Sequence, residues 1–436
     1  MSKISFLFSN VHFLEKQLTQ LENEIIGYSR HWFGLNNSSA RSFFFVPQSK
    51  GGAGLFNPRC LFYSKYLSFA LSSLNSDDLS VRNTARASLN LHMQKRKVNF
   101  TEDHLSFAGY QVIDNRLAKV SKVNWPQSYW VSLFELCQRV NVKLKFSTCT
   151  SEYSFELENA DGVTVILPFA KSFNLYFKEY FVKQLESEFV NLEYQGRIFR
   201  ENEGEIDERF TSLIFKRHNL PDEIRTFICK CRLLILECNS RLNLYYPDVY
   251  SKNCKICNHP SDTVSHILNG CTKYKEIYQK RHNRICDIIF DKLSFVHKNC
   301  DVLKDSVLTP AKFHSTIDAF QTTHTRPDIT IIDREKMTAY IVEISIPYDG
   351  FLKHCYQSKF DKYFPLSLEL NNLGFQTQIV ILIIGSTGLV HHRFTSGLIK
   401  LGICKSESKF LANYCSISAC IGSYKVWKTR CRDIDL

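Results

Sequence analysis

The sequence predicts an α+β, multidomain chain: helical N-terminal and linker regions, a small cysteine- and histidine-rich module, and a C-terminal α/β domain with a mixed central sheet. Three observations predict it. Apolar residues recur at helical spacing near the start, four metal-ligand side chains crowd one short polar segment, and two β-branched runs near the C-terminal end precede a helix and a third strand. The 436 residues are 44% apolar, which at roughly 150 residues per domain suffices for about three cores. Disorder, collagen and low-complexity fibre are excluded by that composition.

Charge and cysteine use narrow the class further. Fifty-five Lys and Arg against 43 Asp and Glu leave a net charge of +12, which favours a polyanionic partner because clustered cations concentrate phosphates. The 16 cysteines lack the dense, regular spacing of a secreted scaffold, and the first ten residues hold one Lys and no small-residue cleavage site. The expectation is a reducing compartment, with most thiols buried and some acting as metal ligands. Residues 379–384 and their flanks form the longest apolar run, far short of the roughly 20 residues of a membrane helix, so no membrane partner is expected.

The elements follow in order. Leu14, Leu18, Leu21 and Ile25 fall at i, i+4, i+7 and i+11 opposite Glu15, Lys16, Glu22 and Glu24, an amphipathic helix. Gly51, Gly52 and Gly54 mark a tight turn; no Lys-Ser or Lys-Thr follows them, as a phosphate-cradling loop would often require. Residues 101–246 read as mixed and largely helical, broken at Trp125-Pro126 and by the acidic run 201–208. Lys216 and Arg217 lead an apolar helix there, as a solvated face or as contacts to a nucleic-acid backbone. No repeat is visible.

Cys254, Cys257, His266 and Cys271 make a C-x2-C-x8-H-x4-C pattern. Two thiolates on a tight turn, with an imidazole and a third thiolate at a helix start, complete a closed tetrahedron for structural Zn2+. Lys252, Lys255, Lys273, Lys275, Lys280, Arg281 and Arg284 surround it, the charge a nucleic-acid strand needs. Further on, 328–333 and 339–346 read as strands, 355–373 as a helix kinked at Pro365, and 378–385 as a third strand. Asp328 opens the first strand, and Glu343 lies inside the second. Two carboxylates from neighbouring strands suit a hard divalent cation. Lys359, Lys362 and Tyr363 share one helix face, where a lysine could orient or deprotonate water and offset transition-state charge. Taken singly, the strand Glu could equally pair with a core cation and the lysines face solvent; their order favours a metal-dependent nuclease.

At these residues the sequence resembles the C-terminal region of site-specific non-LTR retrotransposon polyproteins that carry a restriction-like endonuclease. Arg326-Pro327-Asp328, Glu343 and Lys359-x-x-Lys362-Tyr363 resemble that family's PD-(D/E)xK variant, in which the lysine stands on the following helix; here Ser345 occupies the usual lysine position. The Cys/His pattern resembles the family's zinc knuckle, with Arg281-His282 in the helix after it. Residues 28–35 and 51–55 are similar to the thumb that follows the polymerase palm. The resemblance implies Asp328 and Glu343 as Mg2+ ligands, Lys359 as catalytic lysine supported by Lys362 and Tyr363, and Lys252, Lys255, Lys273, Lys275, Arg281, His282 and Arg326 as nucleic-acid contacts.

It also implies an organisation: 1–115 a thumb-like helical remnant, 116–245 a mostly helical linker, 246–300 a CCHC zinc knuckle with its helix, and 301–436 a restriction-like endonuclease domain. The expected activity is nicking of target DNA for target-primed reverse transcription, with retroelement RNA as a further partner. No palm is recognisable, since the one Asp-Asp, Asp77-Asp78, sits in a polar Ser/Asn stretch, and so no reverse transcriptase activity is expected. Nuclear residence follows from the substrate alone, because Lys95-Arg96-Lys97 is too short an address. The rival reading is an inactive nucleic-acid-binding remnant or a domesticated copy.

Overall fold

A computed structural model describes residues 7–9, 11, 13–95, 129–147, 149–158, 163–216 and 220–435. The Arg96-Lys97 run, the Trp125-Pro126 break and Arg217 lie outside the described residues. The chain is α+β and divides into two compact units, residues 1–28 with 55–185 and residues 29–54 with 186–436.

Helix α1 (Glu15–Phe33), most of which lies in the first unit, buries Leu18 and half-buries Leu21 and Ile25; Leu14 precedes it and is exposed, and Glu22, expected on the polar face, is buried against Arg59 at 3.2 Å. Helix α2 (Pro58–Leu74) starts at Asn57, whose side chain accepts from Cys60 N at 2.9 Å, with proline at the first helical position where no donor is lost. Helices α3 (Leu79–Lys95), α4 (Tyr129–Arg139) and α5 (Ala170–Val190) complete the helical set. Between α4 and α5 lies an antiparallel sheet of β1 (Val142–Ser147), β2 (Glu152–Glu158) and β3 (Thr164–Leu167), a departure from the largely helical expectation. Its reason is period-two patterning: Val142 and Leu144 face the core while Lys143 is exposed, and Phe155 packs on Phe173 at 4.6 Å between centroids.

The second unit includes the glycine turn. Gln48–Lys50 is a single 3-10 turn closed by Gly51 at φ 89°, and the Phe199 ring lies where a Cβ on Gly51 would stand, 2.1 Å away. Helices α6 (Asp222–Arg232) and α7 (Asn239–Tyr245) precede the Cys/His segment, after which come α8 (Lys275–Val296) and a four-stranded sheet. Its order is β4 (Asp301–Lys304), β5 (Ile329–Asp333), β6 (Thr338–Ser345), β7 (Gln376–Ile383). The first three strands are antiparallel. β6 and β7 are parallel, which requires a crossover, and α9 (Leu352–Asn372) supplies it, continuous through Pro365. The sheet is mixed, as expected, although β4 had no counterpart in the sequence reading.

Both sheet faces are covered. Ile329, Ile331, Val342 and Ile344 pack with α8, α10 (Phe394–Lys400) and α11 (Lys405–Asp435), while Ile332, Ala339 and Ile341 pack with Tyr363, Leu366 and Leu370 of α9. Just ahead of α9, the fully buried Asp349 accepts from Ser386 Oγ at 3.1 Å and Thr387 N at 2.7 Å, tying the start of the crossover helix to the loop after β7. Burial raises the Asp349 pKa, opposed by Arg232 and these hydrogen bonds. A Cβ on Gly385 would stand 2.1 Å from the held carboxylate. Gly385→Ala is therefore expected to cost about 1–3 kcal/mol in urea unfolding; an unchanged midpoint would show that the Asp349 loop yields freely. Among the described residues, no helix is long and apolar enough to cross a membrane.

Candidate functional site

The Cys/His segment closes as its spacing predicts. A turn through Asn258, at φ 58°, lets Cys254 N donate to His259 O at 2.8 Å and sets Cys254 and Cys257 side by side. One π-helical turn, His266–Gly270, carries the imidazole, and Cys271 ends it. The four donor atoms lie within 4.8 Å of one another, and Cys257 Sγ is 3.3 Å from His266 Nε2, so the cluster could hold a metal ion such as zinc. Burial pushes the Cys271 thiol up to about 12. It acts the same way on Cys257, but hydrogen bonds from the His259 backbone and the neighbouring thiols outweigh it and lower that thiol. Burial and the stacked His259, 4.4 Å between centroids, lower His266 and favour the neutral imidazole a metal requires.

Two residues that sequence reasoning missed complete this centre. Arg430 of α11 forms a bidentate pair with Asp262 at 2.7 and 2.9 Å and reaches Cys254 Sγ at 3.4 Å, all buried. Tyr274 OH, also buried, donates to Asp433 of the same helix at 3.0 Å. The acidic Asp262 between Cys257 and His266 was the only local signal.

At the sheet, Ile329 pairs with Val342, so Asp328 stands level with Glu343 one strand away. Asp328 Oδ2 accepts from Ile344 N at 2.7 Å. Glu343 is only 4% exposed, yet it meets Lys359 Nζ at 2.6 Å and Lys362 Nζ at 3.7 Å, both from α9. Lys362 also donates to Tyr363 OH at 2.9 Å, and that hydroxyl donates to Arg326 O at 3.0 Å. Burial lowers the Lys359 pKa, but Glu343 and then Asp328 raise it to a net increase; burial and the same carboxylates raise Tyr363. All five residues that the sequence nominated for catalysis thus fall within one region of the fold.

The expected nucleic-acid contacts divide. Lys252, Lys255, Lys273 and Lys275 are exposed around the cluster, and Arg326 is exposed but paired with Asp305 at 2.8 Å. Arg281 is a correction: it is 5% exposed, donates to Ser423 Oγ at 2.7 Å, and its stem fills the space beside Gly422, so it holds α8 to α11 and does not face a strand of nucleic acid. His282 also turns inward, with Nε2 3.0 Å from Ile344 O and 3.5 Å from Asp328 Oδ2. Burial lowers its pKa, but hydrogen bonds to Asp328 and Cys286 prevail and raise it to about 11.

Glu205, within the acidic run, gathers His391 and His392 into another group with donors inside 4.8 Å. Hydrogen bonding accounts for it. His391 Nδ1 accepts from Arg393 N at 3.2 Å and His392 Nε2 from Arg393 Nε at 3.3 Å, which leaves the protons on the nitrogens that face Glu205, at 3.0 and 3.4 Å. Neither imidazole then offers a lone pair on that side. Compared with known proteins, the chain matches no family model and no curated protein.

Proposed function

We propose that the protein is a metal-dependent DNA endonuclease of the restriction-like, PD-(D/E)xK kind, derived from a non-LTR retroelement and acting in the nucleus. The observation that supports it is the register that sets Asp328 level with Glu343 on neighbouring strands, with Lys359 within hydrogen-bond reach of that buried strand carboxylate. The donor set fits Mg2+: two carboxylates from adjacent strands are hard oxygen ligands, and the remaining positions suit water and phosphate oxygens. Bound there, the ion would polarise the phosphoryl group and lower the pKa of attacking water.

The chain's own residues divide the remaining work. Asp328 and Glu343 would hold the cation. Lys359, kept protonated by Glu343, offsets charge on the five-coordinate phosphorus and orients the water, while Lys362, which donates to Tyr363 OH, flanks Glu343 from the next turn of α9. Water adds to phosphorus and gives up a proton to solvent as the bond to the 3′ oxygen breaks; the leaving oxygen takes a proton, so the products are a 5′ phosphate and a 3′ hydroxyl that could prime reverse transcription of an element RNA. The zinc module with its exposed lysines supplies the nucleic-acid contact, and no polymerase activity belongs to this chain.

A second reading is favoured by the same ion pair: Lys359 and Lys362 already neutralise Glu343, which is what a buried carboxylate needs without any metal. That reading is a binding protein without chemistry. Supercoiled-plasmid nicking in Mg2+ separates the two. The nuclease predicts open circles from wild type, none from Asp328→Asn, about one zinc per chain, and DNA binding that weakens steeply with salt. Binding without nicking assigns the second reading.

A further inference from the structure

We propose that His282 is a positioning residue for Asp328, so that the helix leaving the Cys/His module sets the geometry of the acidic centre. The inference rests on the nuclease reading for what that centre does.

Cys271 leads through a 3-10 turn, Thr272–Tyr274, directly into α8. The helix has little freedom there. Tyr278 OH donates to Ile267 O at 2.6 Å, Arg281 is fastened to Ser423, and Asn269 Nδ2 donates to Ile346 O at 2.7 Å, just past the end of β6. These ties place the next residue, His282, against the start of β5 and the end of β6.

The imidazole is then oriented by chemistry. The Ile344 carbonyl can only accept, so His282 Nε2 carries a proton, and that nitrogen is also the one beside Asp328 Oδ2. Nδ1 faces the buried Cys286 Sγ at 3.5 Å, one helical turn on. Asp328 Oδ2 is thus approached from two sides, by Ile344 N and His282, while Oδ1 accepts no hydrogen bond among the described residues. One carboxylate oxygen is pinned and the other is left for a cation. Supporting groups of this sort hold a ligand's rotamer and typically change metal affinity about 10- to 100-fold. The His282, Cys286 and Asp328 donors also lie within 4.8 Å of one another, so zinc stoichiometry separates a positioning role for the imidazole from a metal site.

The test uses the full chain as wild type, His282→Ala, His282→Gln and Cys286→Ser. Mn2+ binding is read by the loss of the free-ion paramagnetic signal, the Mg2+ concentration for half-maximal nicking is measured beside it, and zinc content is determined on each sample. His282→Ala should weaken Mn2+ binding and raise the Mg2+ requirement by about 10-fold or more. His282→Gln, whose amide can still donate, should recover most of it, and zinc should remain at about one per chain. Unchanged Mn2+ affinity and Mg2+ requirement in His282→Ala, beside a nicking wild type, overturn this inference alone. A second zinc equivalent lost in both His282→Ala and Cys286→Ser overturns it in favour of a metal site. Without wild-type nicking the nuclease reading falls, and Mn2+ affinity decides the inference; a wild type that neither nicks nor binds Mn2+ overturns both.

Discussion

Replacing Arg430 with alanine is expected to remove about 3–5 kcal/mol of stability and to loosen the Cys/His module. Arg430 and Asp262 have side chains 2% and 0% exposed, and Asp262 also accepts from Asn239 N at 2.9 Å. The substitution leaves a carboxylate buried without its cation and takes the guanidinium from Cys254 Sγ, 3.4 Å away. Urea unfolding and zinc transfer to a chromogenic chelator should both report the loss. The double replacement Arg430→Met with Asp262→Asn should cost less than Arg430→Ala, because the orphaned charge is then absent. A cost under about 1 kcal/mol for Arg430→Ala would mean that water reaches the pair.

Glu343→Gln and Lys359→Met should fail in different ways. Glu343→Gln removes a proposed cation ligand, so nicking should fall more than about 100-fold, while stability changes little because the freed Lys359, 30% exposed, can reach water. Lys359→Met should lose nicking and also about 1–3 kcal/mol, because Glu343 loses its nearest cation and keeps Lys362 at 3.7 Å and the neighbouring Tyr363 hydroxyl. The pH dependence follows from the raised Lys359 pKa. A folded-state value above the ordinary 10.5 makes its contribution fully present below pH 10.5 and lost as pH rises through the folded value. Wild type should therefore lose stability above pH 10.5 more steeply than Lys359→Met. Full nicking by Glu343→Gln would sink the catalytic assignment.

How much of this the sequence revealed depends on whether its signal is local. The Cys/His pattern was readable because all four donors lie in one segment, Asp328 and Glu343 because a carboxylate at the head of or inside a β-branched run stands out, and Lys359 because it shares a helix face with Lys362 and Tyr363. The β1–β3 sheet was missed because its alternation is broken into short runs between turns. α11 was missed for a different reason: its centre is Ala, Ser, Cys and Gly, so it has no amphipathic contrast although it buries Ala412, Cys415, Ala419 and Cys420. Arg281 misled because a cation in a basic stretch resembles a surface residue, and only the space beside Gly422 shows where it goes. No local pattern could have joined Asp262 to Arg430.

That last pair has a consequence for synthesis. Asp262 leaves the ribosome 168 residues before Arg430, a gap of roughly 8–34 s at about 5–20 residues per second. Throughout that interval the thiols of the module are made but lack the guanidinium that later covers them. Nascent chains are thus most open to oxidation or to capture of a wrong metal before α11 emerges, and the yield of correctly loaded protein should depend on zinc supply during translation more than after it.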